Sequence, residues 1–166
     1  MPILDANTFE FFSRSPDQTR RIGIRLGSLL EAGDVVCLCG DLGAGKTTLT
    51  QGIARGWGAL EQATSPTFVL VKNYSRPDGA NIFHLDAYRL EDALEAEDLD
   101  MDAFMESGPF IIEWPERIRA ALPAEHLWID LTYQGDEQRG MVFKPSGKRF
   151  ITMVDTLKNE MIKGYQ

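Results

Sequence analysis

The sequence has few of the features that mark secreted, membrane-spanning or nucleic-acid-coating proteins. Its 166 residues include only two cysteines, Cys37 and Cys39, which are too close for a relaxed disulfide and too few for a metal site. No apolar run approaches the ~20 residues that span a bilayer, and the first residues lack the basic-then-apolar plan of a secretory signal. Excess positive charge is missing as well, since the net charge is −8. We therefore expect a globular, cytoplasmic protein without broad direct contact with a nucleic-acid backbone or a membrane.

Length and composition fit one domain. A chain of 166 residues with 43% hydrophobic content can build one core, but it is too short for two ordinary ones. No internal repeat or linker divides it, so we predict that residues 1–166 form a single domain. From about residue 150 onward, Phe150, Val154, Leu157 and Met161 recur at helical intervals and predict a terminal amphipathic helix whose role the pattern leaves open.

A glycine-rich motif is the strongest signal in the chain. Residues 40–47, Gly-Asp-Leu-Gly-Ala-Gly-Lys-Thr, fit G-x-x-x-x-G-K-[ST] between an apolar strand at 35–39 and a helical stretch up to Trp57. Its glycines let backbone N–H groups point at an anion, and the helix that follows adds its positive end. A glycine-rich turn that binds nothing is the less favoured interpretation. The motif predicts a nucleoside triphosphate site, with Lys46 on the β- and γ-phosphates and the Thr47 hydroxyl on Mg²⁺. The predicted nucleotide-binding residues are Asp41, Leu42, Gly43, Ala44, Gly45, Lys46, Thr47 and Thr48.

The remaining elements predict an α/β fold with a mixed sheet. Ser15 to Gln18 forms a capping box that starts a helix, which we expect Gly33 to close. Gly52 and Gly56 interrupt the helix after the motif, so this helix either packs closely against a neighbour or is short. Strands joined by short turns pair antiparallel. Predicted strands run over 8–13, 35–39, 68–74, 81–86, 110–113, 127–133 and 140–144.

Hydrolysis or transfer also needs an acidic residue at a strand end, and three acids follow apolar strands. Glu113 ends a short apolar run before a chain-breaking Trp-Pro, and Asp86 ends the strand before it. Parallel strands would bring both to the ligand crevice, and periodicity does not separate their roles. Asp130 lies inside a strand that continues into a hairpin and is the weakest of the three. His84 is interpreted as a packed strand histidine.

Four blocks of sequence together resemble one bacterial family. In order along the chain they are Gly40 to Thr48, Ser65-Pro66-Thr67-Phe68, His84 to Leu90 and Glu113-Trp114-Pro115-Glu116. They are similar to the TsaE family, also called YjeE, over roughly Thr19 to Asp130. The resemblance implies a P-loop NTPase-like, three-layer α/β fold with a mixed, partly antiparallel sheet.

The resemblance also implies an activity. Members of that family are small ATPases that use ATP and Mg²⁺ and bind the TsaD–TsaB pair, which forms threonylcarbamoyladenosine in tRNA; tRNA is reached only through that complex. Carried onto matching positions, the resemblance implies that Lys46 holds phosphates and Thr47 ligates Mg²⁺. Glu113 would support Mg²⁺ or the attacking water, and Asp86 would support activity near the metal. Thr67 would lie in a switch-like loop, and Trp114 would border the site.

Two other functions fit the motif. A small-molecule kinase with a P-loop would share it, although no Arg-rich lid segment is visible and the stretch 91–106 is strongly acidic. A nucleotide-gated interaction module would bind without hydrolysis. Transfer of γ-phosphate to a metabolite indicates the first, and binding without turnover the second.

Overall fold

The computed structural model of the protein describes residues 6–61, 63, 71–88, 90 and 100–163. Within them the strands are β1 (Phe9–Ser13), β2 (Val35–Cys39), β3 (Val71–Ser75), β4 (Asn81–Asp86), β5 (Phe110–Glu113), β6 (His126–Tyr133) and β7 (Arg139–Ser146). The helices are α1 (Pro16–Gly27), α2 (Lys46–Trp57), α3 (Met101–Ser107), α4 (Lys148–Lys163) and the 3₁₀ helix η1 (Pro115–Ala121).

The strands form one mixed sheet of order β1-β7-β6-β2-β5-β4-β3. The four strands β6, β2, β5 and β4 run parallel to one another, whereas β1, β7 and β3 pair antiparallel. The central strand β2 leads into the glycine-rich loop. Its neighbour β5 ends at Glu113, beside Leu38, whereas β6 runs on to Tyr133 past its pairing with Cys39. This confirms the predicted α/β class with its mixed, partly antiparallel sheet.

Alternating side chains of the central strands pack into two separate hydrophobic cores, one on each face of the sheet. Val36 and Leu38 of β2 face α1, α2 and α4, whereas Val35 and Cys37 face α3 and η1. These strands are buried on both faces, which is why they read as continuous apolar runs. The result is a three-layer arrangement of helices, sheet and helices.

Helices α1 and α2 touch through glycines. A Cβ added at Gly27 or Gly56 would collide with the carbonyl oxygen of Ile53 or Ile24 on the opposite helix. Of the two alternatives for the glycines in α2, close packing is therefore correct, and α2 continues to Trp57 before Gly58 caps it with φ +108°.

The end of α1 differs from the prediction. Gly33 does not cap it, since the helix stops at Gly27. The Ser28 hydroxyl donates to the Arg25 carbonyl, and the N–H of Leu29 bonds only three residues back, to Leu26. These local bonds tighten and end the last turn, and Gly33 takes its positive φ in the loop that follows.

The terminal helix predicted from residue 150 onward is present as α4. It buries Phe150, Val154 and Leu157 against the α1–α2 face of the sheet. The Arg149 guanidinium at its start grips the buried carboxylate of Asp34 with bonds of 2.6 Å to each oxygen. No helix in the described ranges has the length and hydropathy to cross a membrane.

Candidate functional site

The glycine-rich loop connects β2 to α2 and leaves backbone donors unused. Gly43 and Gly45 adopt φ of +81° and +103°, a region that side chains with a Cβ rarely enter. The residue before α2 is Gly45, which has no side chain to cap the helix. Within the described part of the chain, the N–H groups of Gly43, Gly45 and Lys46 donate to no protein acceptor. N–H groups without protein acceptors at the start of a helix can bind an anion.

Lys46 lies inside the site rather than in solvent. It is 6% exposed, its Nζ donates to the Gly40 carbonyl at 2.6 Å, and the same ammonium sits 3.9 Å from the centre of the Trp114 ring. Burial lowers the pKa of Lys46, and the nearby charges of Glu113 and Asp86 oppose that shift. The Lys46 ammonium therefore contacts a carbonyl oxygen and an aromatic face, and the charges of Glu113 and Asp86 act on it.

The two favoured acids end adjacent parallel strands. Asp86 closes β4 opposite Glu113, which closes β5, so both arrive at the edge where the loop begins. Glu113 is 4% exposed, and its Oε2 lies 2.7 Å from Nε2 of His84. Its other oxygen has no partner among the residues described. Asp86 is half-buried and accepts the Tyr88 N–H at 2.9 Å.

Asp130 occupies the other flank of β2. It lies in the interior of β6, as its position in the sequence predicted, and pairs with Cys39 at the end of β2. Its carboxylate is already engaged, because Oδ1 accepts the Trp128 indole N–H at 2.9 Å and Oδ2 forms an ion pair with Lys144. The structure therefore brings Asp86 and Glu113 together with Lys46 and gives Asp130 other partners.

A family model described as "Threonylcarbamoyl adenosine biosynthesis protein TsaE" matches residues 13–141, which include Lys46, Asp86, Glu113 and Asp130. The chain belongs to the TsaE family.

Individual relatives agree with this assignment. The chain is 39% identical over 145 residues to the tRNA threonylcarbamoyladenosine biosynthesis protein TsaE of Bacillus subtilis, covering 86% of this chain and 89% of that protein. Identity to the protein of the same name from Streptomyces coelicolor is 41% over 139 residues, covering 80% and 94%. A crystal structure of Bacillus subtilis YdiB superimposes with a TM-score of 0.76 and 32% identity, over 92% of this chain and 95% of that one.

Trp114 in this TsaE family member has an unusual backbone. Its φ of +59° and ψ of +47° are left-handed, a conformation that costs a non-glycine residue about 1–3 kcal/mol. The conformation turns the chain sharply between β5 and η1 and lays the indole over Lys46. The ring also packs on Tyr88 at 5.0 Å, and the Arg117 guanidinium lies 5.2 Å from the Tyr88 ring centre. Trp114 thus borders the site.

The other predicted site residues are placed as follows. Asp41, Leu42 and Gly43 are exposed on the loop, Ala44 is buried, and Gly45, Thr47 and Thr48 are half-buried around the start of α2. Thr67, predicted in a switch-like loop, lies outside the described residues.

Sequence reasoning missed two side chains. His84 was interpreted as core packing, yet it bonds to Glu113; its alternation with Asp86 along β4 was the available signal. Arg139 starts β7 and places its aliphatic stem beside Gly45, with a buried Nε that meets no acceptor in the described residues. No local pattern predicts this approach, because the β6–β7 hairpin delivers the side chain from far along the chain.

Proposed function

We propose that this protein binds ATP with Mg²⁺ at the glycine-rich loop and hydrolyses it to drive turnover of the TsaD–TsaB pair during threonylcarbamoyladenosine formation in tRNA. Two things support the proposal: membership of the TsaE family, whose curated relatives are named for that biosynthesis, and a site with the parts that phosphate binding needs. With a net charge of −8, the protein reaches tRNA through the complex rather than by coating it.

One observation carries the proposal: the start of α2 has backbone donors without protein acceptors in the described residues, and Lys46 at that start lies near the charge of Glu113. The donors of Gly43, Gly45 and Lys46 suit the phosphate oxygens of a nucleotide. The Lys46 ammonium, held by the Gly40 carbonyl, supplies the positive charge that the β- and γ-phosphates require.

The residues present also fit Mg²⁺. The Thr47 hydroxyl and the remaining Glu113 oxygen are the hard oxygen donors that this ion takes, and no group of three or more His, Cys, Asp or Glu side chains converges in the described ranges. A site with so few protein ligands suits an ion whose other ligands are phosphate and water. When bound, Mg²⁺ would supply neutralisation of charge on the transferred phosphoryl group.

The side chains would divide the work of hydrolysis. Lys46 binds the phosphates and stabilises charge as the terminal phosphoryl group departs. Glu113, or Glu113 with Asp86, orients the attacking water and accepts its proton, because both carboxylates end strands that face the loop. Trp114 covers the Lys46 side of the crevice. Few groups position the water, so we expect slow hydrolysis by the isolated protein and faster hydrolysis with the partner pair.

The test is nucleotide-dependent binding to a purified TsaD–TsaB pair, with modified adenosine measured in the same reactions. We expect ATP to change complex formation and the protein to raise the yield of threonylcarbamoyladenosine. Lys46→Ala should lose nucleotide affinity by about 10-fold or more, because a charge-assisted contact is removed. Absence of association together with an unchanged yield would contradict the role in modification. Transfer of labelled γ-phosphate to a metabolite, rather than to water, would indicate a kinase instead.

A further inference from the structure

The pair formed by His84 and Glu113 is unusual for its burial. His84 is 0% exposed and Glu113 4%, and their side chains meet at 2.7 Å. Polar groups cost free energy when they leave water, and an apolar residue at His84 would fill the space between sheet and helix without that cost. Neither the glycine-rich motif nor the strand pattern requires a histidine at this position.

Sheet register explains how the imidazole reaches the carboxylate. In the parallel β4–β5 pair, His84 lies beside Ile111 and Asp86 beside Glu113. His84 and Asp86 project from the same face as Glu113, because residues two apart on a strand share a face. The imidazole therefore approaches Glu113 diagonally from below, on the side away from the loop. Asp86 lies two residues further along β4, directly beside Glu113.

The bond leaves Glu113 with one oxygen engaged and one available. A glutamate has three side-chain torsions, and a fixed partner on Oε2 limits the orientations that its carboxylate can adopt. The carboxylate lies close enough to Lys46 for its charge to act on that lysine. A carboxylate that orients a water or a metal ion must be held in this way to act efficiently.

The carboxylate partner sets the tautomer of the imidazole. A carboxylate oxygen accepts hydrogen bonds, so at 2.7 Å Nε2 carries the hydrogen and donates to Glu113. The Tyr74 hydroxyl on β3 lies 3.5 Å from Nδ1 on the other side of the ring. His126, the other histidine of the chain, has the opposite arrangement, because its Nδ1 lies 2.9 Å from the Pro123 carbonyl, which can only accept.

We propose that His84 is a positioning residue, which donates from Nε2–H to hold the Glu113 carboxylate in the single orientation that ATP hydrolysis uses. The inference rests on the proposed function, in which Glu113 orients water or metal. His84 touches no substrate and acts only through Glu113.

Two matched substitutions test the role. His84→Gln can place an amide N–H where Nε2–H stands, whereas the shorter His84→Asn reaches only the position of Nδ1. We expect the Gln variant to keep kcat within about threefold of the parent, and the Asn variant to lose about 10-fold or more, as a hydrogen bond to a charged group is lost. Nucleotide affinity should be unchanged in both, since neither touches the loop. Equal kcat in parent and both variants, or equal losses in both variants, would overturn the proposal.

Nitrogen-detected NMR of the free protein tests the bond without turnover. With only two histidines, we expect one Nε2–H tautomer in slow exchange, from His84, and one Nδ1–H tautomer, from His126. Glu113→Gln should shift the first set of signals and leave the second in place. An Nδ1–H tautomer at His84, or signals that ignore Glu113→Gln, would overturn the proposal even if His84→Asn fails to fold. A parent that shows the expected NMR signals but hydrolyses no ATP would contradict the proposed function while leaving the bond intact.

Discussion

Asp34 and Glu113 are both buried carboxylates, yet they lie at opposite ends of the central strands and have different surroundings. Asp34, 3% exposed before β2, uses both oxygens on the Arg149 guanidinium and also accepts the Glu31 N–H at 2.7 Å. Glu113, 4% exposed at the end of β5, uses one oxygen on His84. A carboxylate whose acceptors are saturated ties elements together, whereas one with a free oxygen in a crevice is available for chemistry.

The largest expected effect separates these two roles. Glu113→Gln should lower kcat for ATP hydrolysis by about 100-fold or more, because an amide cannot accept a proton from water. ATP affinity and the urea unfolding midpoint should change little, since the amide can still bond to His84. Single-turnover hydrolysis and binding of a fluorescent ATP analogue measure the two effects. A loss of affinity as large as the loss of turnover would contradict the assignment.

Asp34→Asn should show the reverse pattern. The substitution removes the negative charge that Arg149 contacts, so we expect a loss of about 1–3 kcal/mol in the free energy of unfolding. We expect kcat for ATP hydrolysis to be retained. Urea denaturation followed by circular dichroism measures the change. Glu31→Gln is the matched control, because the exposed Glu31 lies 3.7 Å from Arg149 and should change stability by less than about 0.5 kcal/mol. A large loss of turnover in Asp34→Asn would show that this end of the strand also serves the site.

Asp130 tests whether a carboxylate contributes to ATP hydrolysis merely by lying near the glycine-rich loop. Asp130 ends up beside Cys39 but is bonded to Trp128 and Lys144. Asp130→Asn keeps an acceptor for the indole, so we expect a stability change below about 1 kcal/mol and kcat within about twofold of the parent. A fall in kcat as large as that of Glu113→Gln would contradict the assignment of the hydrolytic carboxylate to the β5 side of β2 and not to the β6 side.

The last prediction concerns β2 itself, which lies between the two carboxylates, and it expects no change in turnover. Burial raises the pKa of the Cys37 and Cys39 thiols to about 12, so both stay neutral at pH 8. Alkylation of the native protein at pH 8 should be slower than in 8 M urea by roughly 100-fold or more, since only thiolates react. Because the folded pKa is raised from 9.0, the associated stability is complete below pH 9 and declines as the pH rises toward 12. Equal alkylation rates with and without urea would contradict the shift.

Much of this architecture could be predicted from the sequence, because local patterns determined it. The apolar runs ending at Cys39 and Glu113 are strands, and Gly58 caps α2. The order of the strands could not be predicted in this way. β5 lies between β2 and β4, and no pattern within residues 110–113 indicates which strands they pair with.

The positions of the candidate site residues could be predicted in part for the same reason. The loop residues and both favoured acids are consecutive or strand-terminal, so their location follows from sequence. The His84–Glu113 bond joins residues 29 positions apart, and it depends on the register of two parallel strands. The left-handed conformation of Trp114 is likewise imposed by the tight connection to η1, in spite of the preference of its residue type.

The glycine contacts between α1 and α2 also fix the position of the helix that follows the glycine-rich loop. Carbonyl oxygens of each helix occupy the space that a Cβ would fill on the other, at Gly23, Gly27, Gly52 and Gly56. A slide of one residue along the seam would drive a side chain into a carbonyl, so the two helices have one permitted alignment. We therefore expect nucleotide binding at the proposed site to leave the packing of α1 on α2 unchanged.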